Sequence, residues 1–240
     1  MNLGLLFDED FVADDRVVLR GRRRQHLETV LKVSEGDQVP VGKVNGLMGV
    51  GTVLRLDDRD AELSVRLDTQ PPNPLPLTLV LAMPRPKMFR RVIQTCAALG
   101  VKDIWLINAY KVEKSFWQTP WLQDEQLREN LALGLEQACD TQMPDVHIRK
   151  LFKPFVEDEL PGLIKGRRGL IAHPGTPDAC PTHLSEPATL CIGPEGGFIP
   201  YEVDKIIAAG AEAVHLGSRI LRVETAVPVL VSRLYDGCLY

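Results

Sequence analysis

Several residue patterns that would announce a function class are missing from this sequence. Among its 240 residues there is no apolar run of about eighteen, the length that a membrane-spanning helix needs. The start, Met1-Asn2-Leu3-Gly4-Leu5-Leu6-Phe7-Asp8-Glu9-Asp10, lacks the basic opening and long apolar core of a secretory signal, so a cytoplasmic chain with no membrane partner is expected. The five cysteines, Cys96, Cys139, Cys180, Cys191 and Cys238, are odd in number, scattered and never spaced as Cys-x-x-Cys. That pattern argues against a disulfide framework and against a zinc site, and the set reads as inert packing residues. The histidines, His26, His147, His173, His183 and His215, are equally dispersed, and no metal is expected. Neither Gly-x-Gly-x-x-Gly nor a glycine-rich run ending in Gly-Lys-Ser/Thr occurs, which disfavours a dinucleotide or triphosphate site. An excess of positive charge is missing too. At a formal net charge of -4, any contact with a polyanion must come from local clusters.

What is present divides into two halves. Arg16-Val17-Val18-Leu19, Gln38-Val39-Pro40-Val41, Met48 to Leu54 and Ala61 to Leu67 are short apolar or alternating runs broken by glycine and aspartate turns, as strands require. A short helix over Gln25 to Leu31 interrupts them, with Leu27, Val30 and Leu31 on one side. A small closed β-barrel is the economical arrangement. Gln70-Pro71-Pro72-Asn73-Pro74-Leu75-Pro76 continues neither sheet nor helix, and marks a boundary. The expected organisation is a first domain over 1–70, a proline-rich linker over 71–76 and a second domain over 77–240. In the second, strands alternate with helices, the signature of an α/β fold with a parallel sheet. Strands are expected at Leu77 to Ala82, Asp103 to Asn108, Gly169 to His173, Thr189 to Ile192 and Ala213 to Leu216. Helices are expected at Lys87 to Leu99, Asp124 to Cys139, Val156 to Ile164, Pro200 to Ala209 and Glu224 to Tyr235.

Two strand-to-helix corners stand out. After Thr189-Leu190-Cys191-Ile192 comes Gly193-Pro194-Glu195-Gly196-Gly197-Phe198. After Ala213-Val214-His215 comes Leu216-Gly217-Ser218-Arg219-Ile220-Leu221-Arg222-Val223-Glu224-Thr225-Ala226. The glycines allow a ligand close to the backbone and leave its N–H groups available as donors. His173-Pro174-Gly175 is a third corner that could touch the same ligand.

The pair of runs resembles the 16S ribosomal RNA uracil-N3 methyltransferases, RsmE type, of the SPOUT superfamily. That resemblance implies a trefoil-knotted α/β domain at the C-terminus, which no periodicity could have indicated, since threaded chains are rare. It also implies S-adenosyl-L-methionine in a pocket formed by Ile171, His173, Ile192, Gly193, Pro194, Glu195, Gly196, Gly197, Leu216, Gly217, Ser218, Ile220, Leu221 and Ala226. Arg222 would stabilise the developing charge on the uracil oxygens, and Glu224 would take the N3 proton or orient Arg222. His26-Leu27, Val30-Leu31-Lys32 and Gly36-Asp37 look like the family's PUA-like domain. Arg20, Arg22, Arg23 and Arg24 would then face RNA phosphates, with Arg85 and Lys87 as a second basic cluster. The implied partners are 16S ribosomal RNA or the small ribosomal subunit and a second copy of the chain.

Three departures accompany the resemblance. The opening is apolar and then acidic, at Asp8-Glu9-Asp10, where relatives are basic and aromatic, Asp140 stands where they show arginine, and Ala98 where they show glutamate. All three lie outside the cofactor motifs and bear on the target RNA. The second reading is a divergent paralogue that methylates another RNA or binds RNA without catalysis.

Overall fold

The computed structural model describes residues 2–236, so Cys238 lies outside the described residues. The chain divides into two compact units, one built from the chain up to Asn73 together with Ala132–Met143, the other from Pro74–Leu131 and from Pro144 onward.

The first unit holds β1 (Gly4–Leu6), β2 (Phe11–Ala13), β3 (Arg16–Arg20), β4 (Gln38–Lys43), β5 (Met48–Leu56) and β6 (Asp60–Thr69). They pair in the order β1-β4-β5-β6-β3-β2, parallel between β1 and β4 and antiparallel elsewhere. Period-two alternation turns Ala61, Leu63 and Val65 of β6 inward, where they meet Val17, Leu19, Leu27, Val39, Val41 and Val53 in one apolar core. Gly49 sits where β5 shifts register against β6, and a Cβ there would stand 1.9 Å from the carbonyl oxygen of Arg66, so only glycine allows this approach. Two strands were not expected. β1 and β2 are three residues each, too short for a pattern, and they form the edges. No ladder joins them among the described residues, so the sheet encloses its core with open edges where a closed barrel was expected. The helix expected from Gln25 begins earlier, as α1 (Gly21–His26), and continues as a π-type turn to Leu31 before stopping at Lys32 in a left-handed conformation. Within this unit Arg22 grips Glu136 through both guanidinium nitrogens, 2.9 Å each.

The second unit is a six-stranded sheet of β7 (Leu77–Ala82), β8 (Asp103–Ile107), β9 (Asp145–Arg149), β10 (Arg168–Ala172), β11 (Ala188–Ile192) and β12 (Glu212–Val214). Every pair in the order β12-β10-β11-β7-β8-β9 is parallel. Its helices are α2 (Pro86–Ala98), the first part of α3 (Asp124–Ala138), whose residues from Ala132 on belong to the first unit, α4 (Phe152–Pro154) leading through a π-type turn into α5 (Leu160–Ile164), α6 (Pro200–Ala208) and α7 (Val223–Leu234). β7 and β11 are apolar throughout because a central parallel strand is covered on both faces. α2 starts at Pro86, buries Phe89, Val92, Ile93 and Cys96 at helical spacing, and is followed by Gly100 at φ 81. α7 packs against α2. β9 was not anticipated, because Asp145-Val-His-Ile-Arg149 is a polar, largely half-exposed edge. The chain lays β8 and β9 on one side of β7 and then returns to place β10, β11 and β12 on the other. In open α/β sheets a ligand crevice forms at the carboxyl ends of strands beside such a reversal. Among the described residues no helix is long and apolar enough to cross a membrane, and no cluster of side chains could hold a metal ion.

Candidate functional site

The carboxyl ends of β10, β11 and β12 open into one cavity of about 340 Å³, and the last residue of each strand, Ala172, Ile192 and Val214, lines it. The first corner supplies one wall. Gly197 donates its amide to the Pro194 carbonyl at 2.7 Å and takes φ 70, closing a tight turn. A Cβ at Gly193 would meet the Phe198 amide nitrogen at 3.0 Å, so a side chain there would push the turn open.

The same turn is tied down from outside. Glu195 points its carboxylate at the Arg85 amide, 2.9 Å away, and Lys111 donates from Nζ to the Gly196 carbonyl at 2.6 Å. Glu202 is 3% exposed. It accepts the Ile199 amide at 3.0 Å, the backward reach of a third-position glutamate toward a helix start, and the Tyr110 amide at 2.6 Å.

The second corner is held by the loop that follows β10. His215 donates its amide to the Asp178 carbonyl at 2.9 Å and accepts the Cys180 amide at 2.8 Å. Gly217, at φ 113, donates to Nδ1 of His215 at 2.9 Å. In that bond Nδ1 is the acceptor. The amides of Leu216, Ile220 and Leu221 have no acceptor among the described residues. Ile220, 81% exposed, and Leu221 stand as apolar side chains over the mouth. A concave site with mostly apolar lining, a few unclaimed amides and glycine-permitted close approach fits a nucleoside ligand such as S-adenosylmethionine. No reactive thiol adjoins it, since burial pushes Cys191 up to about 12 and raises Cys180 as well.

Of the pocket residues expected from the sequence, the structure gathers His173, Ile192 and Gly193 to Gly197 with Leu216, Gly217, Ile220, Leu221 and Ala226 around this cavity. Two fall outside it. Ile171 is fully buried, because the pleat turns it into the sheet core where its neighbour Ala172 faces the cavity, and Ser218 is exposed beyond the wall. Phe198, His215, Arg219 and Val223 also line it and were not anticipated, although Phe198, Arg219 and Val223 sit inside the two runs and His215 immediately precedes the second. Pro174 joins from the third corner, and Ala172, Val214 and Leu230 join only once the sheet order is known.

Arg222 and Glu224 do not line the cavity. Arg222 is the exposed N-cap of α7 and Glu224 lies in its first turn, and neither side chain has a partner among the described residues. A helix-start ion pair between them is therefore not formed. Arg85 and Lys87 are exposed at the start of α2. In the first unit Arg20 is exposed and unpaired, whereas Arg22 grips Glu136, Arg23 grips Asp10 and Arg24 grips Glu28.

A family model described as the RNA methyltransferase domain matches residues 71–235. The chain belongs to this RNA methyltransferase family. Its membership bears out the resemblance carried by the two corners, both of which lie inside the matched residues. Among relatives of this chain, ribosomal RNA small subunit methyltransferase E of Treponema pallidum is 27% identical over 94% of this chain and 87% of its own length. The protein of the same name from Synechocystis is 27% identical over 93% of this chain and 74% of its own. A solved ribosomal RNA small subunit methyltransferase E from Neisseria gonorrhoeae, bound to S-adenosyl methionine, superposes with a TM-score of 0.74. It covers 96% of this chain and 95% of its own at 21% identity, a likeness of fold.

Proposed function

We propose that this protein methylates N3 of a specific uridine in 16S ribosomal RNA of the small subunit, using S-adenosyl-L-methionine. The observation that carries the reading is the single cavity at the ends of β10, β11 and β12, walled by both corners. Residues 77–240 are read as the knotted SPOUT-type domain and 1–70, joined through 71–76, as a PUA-like module that grips RNA through Arg20 and its neighbours, assisted by Arg85 and Lys87. The family's relatives named for the small subunit RNA support the choice of substrate.

The cofactor, when bound, supplies an electrophilic methyl carbon on a sulfonium. The chain's own residues do the rest. Gly193, Gly196 and Gly197 admit the ligand to the backbone, Leu216, Ile220 and Leu221 offer amides, and the apolar wall excludes water. Holding the methyl donor beside the acceptor base is worth about 7–11 kcal/mol of barrier when the alignment is good. The neutral imide of uracil is a poor nucleophile, so its N3 proton must leave. The unpaired carboxylate of Glu224 accepts that proton, directly or through a water, as N3 gains the methyl group and S-adenosylhomocysteine departs. The unpaired guanidinium of Arg222 stabilises the negative charge that develops on the uracil oxygens.

A homodimer working in the cytoplasm completes the proposal. α7 buries Val227, Leu230, Val231 and Leu234 within the chain but leaves Val229 exposed, with Ile220 and Leu221 bare ahead of the helix. A second copy would cover these side chains.

Calorimetry with S-adenosylmethionine should give saturable heat, and incubation with small-subunit RNA should yield 3-methyluridine by mass spectrometry. No heat and no thermal shift would remove the enzyme reading. Asp140 favours keeping the second reading in the same experiment: it is buried and accepts the Gln142 amide at 2.9 Å, a turn contact that an arginine there could not make. RNA retention without S-adenosylhomocysteine would mean binding alone.

A further inference from the structure

We infer that Tyr110 is a stacking platform for an unpaired nucleobase of the RNA substrate, held rigid by its own loop; this rests on the function proposed above. The ring of Tyr110 is 78% exposed, and neither its hydroxyl nor its face has a partner among the described residues. Bare aromatic rings are commonplace on loops that move. Here the backbone beneath the ring is fixed on both sides. The amide of Tyr110 is held at 2.6 Å by Glu202, a carboxylate buried at the start of α6, and the next residue, Lys111, reaches Gly196 of the cavity wall at 2.6 Å. A Cβ added at Gly196 would lie 2.7 Å from Cδ of Lys111, so the lysine stem fills the space behind the glycine turn. Val112, buried, donates its amide to the Ala109 carbonyl at 3.0 Å and closes the turn that presents the ring.

An aromatic side chain with a fixed backbone loses little entropy when a base settles on it. Every base has a π-face, so such a ring recognises single-stranded nucleic acid without reading its sequence. Cations that suit a polyanion are at hand: Lys111 follows in the same loop, Lys114 comes after Glu113 at the start of a short 3-10 helix, and Arg85, whose amide Glu195 holds, and Lys87 stand exposed at the start of α2. The ring is therefore anchored through one residue to the cofactor cavity wall and followed in sequence by two lysines, as suits a base-positioning residue for this reaction.

The test compares wild type, Tyr110→Ala, Tyr110→Phe and Tyr110→Trp as full-length chains. The probe is a fluorescein-labelled single-stranded RNA rich in uridine, read by anisotropy, with S-adenosylhomocysteine calorimetry in parallel. Tyr110→Ala should weaken RNA binding about tenfold, within the range measured for removing one base-stacking ring. Phe and Trp should restore it, because the π-face rather than the hydroxyl is at work. The salt dependence should keep its slope in Tyr110→Ala and flatten in Lys87→Ala, since only the latter removes a charge. Cofactor heats and thermal midpoints should match wild type throughout. RNA binding by Tyr110→Ala equal to wild type overturns the inference and leaves the proposed function standing, and so does a failure of Phe to restore it. A wild type that takes up the cofactor but binds no RNA overturns both.

Discussion

Glu202 and Tyr110 are joined by a 2.6 Å hydrogen bond that runs from the loop after β8 to the first turn of α6. The carboxylate is buried, and its other oxygen accepts the Ile199 amide, so both lone-pair sets are engaged where water does not reach. Hydrogen bonds to a charged acceptor contribute about 1.5–3 kcal/mol each, and a buried amide left unmatched adds its own desolvation cost. Glu202→Ala should lower unfolding free energy by about 2–4 kcal/mol in a urea titration. Glu202→Gln, which keeps an acceptor, should lose less. A midpoint for Glu202→Ala that coincides with wild type would show that the loop is held by other contacts.

The arginine cluster of the first unit separates into one free cation and three engaged ones. Arg20 has no partner, while Arg22 forms a fork on Glu136, itself 7% exposed. Arg23 is bound to Asp10 and to the Leu5 carbonyl at 3.0 Å. Arg20→Ala should therefore weaken RNA binding and reduce the salt slope by about 1, with stability unchanged. Arg22→Ala strands a buried carboxylate and should cost on the order of 2 kcal/mol of stability, between the values for exposed and buried pairs. The opposite pattern, a stability loss at Arg20 and a pure salt effect at Arg22, would reassign the two.

How much of this was legible beforehand follows from the range of the interactions. β7 and β11 declare themselves because burial on both faces demands continuous apolar residues, and the two corners because glycine and its neighbours must occur in sequence there. The strand order, and with it the meeting of Ala172, Ile192 and Val214, depends on pairings between distant segments. Arg22 reads as a phosphate contact until Glu136, far along the chain, is seen beside it. Glu195 lies in the cavity lining, and its contact with the Arg85 amide, which ties the turn down, also joins segments far apart in the chain. β9 escaped because an edge strand need satisfy only one ladder and one face, so Asp145, His147 and Arg149 are tolerated and the apolar signal is lost.

Cysteine chemistry offers a test of the packing around the sheet. Burial pushes Cys96 and Cys191 up to about 12. Burial therefore disfavours the reactive thiolate at both positions. Cys139 is half-exposed at the end of α3. Native protein treated with a thiol-directed alkylator at pH 8 should label Cys139 well ahead of Cys96, Cys180 and Cys191, with peptide mass spectrometry locating the label. Rapid modification of Cys191 would mean that the floor beside the cavity opens in solution.

The catalytic assignment makes the sharpest demand. The side chains of Arg222 and Glu224 have no partners among the described residues and neither residue lines the cavity, so replacing them should leave the fold and the cofactor site intact. The structural cost of Glu224→Ala is bounded by its place at the positive end of α7, about 0.3–1 kcal/mol. Against that small cost, loss of a proton acceptor or of a cation beside the developing charge should slow methyl transfer about 10²-fold or more. Arg222→Lys should recover only part of the rate, because an ammonium cannot offer the planar fork of a guanidinium to two oxygens. If Glu224 takes the N3 proton, Glu224→Gln should slow single-turnover methyl transfer as much as Glu224→Ala does, with cofactor binding unchanged. A near wild-type rate in Glu224→Gln would pass the proton to another acceptor and leave Glu224 the lesser task of orienting Arg222.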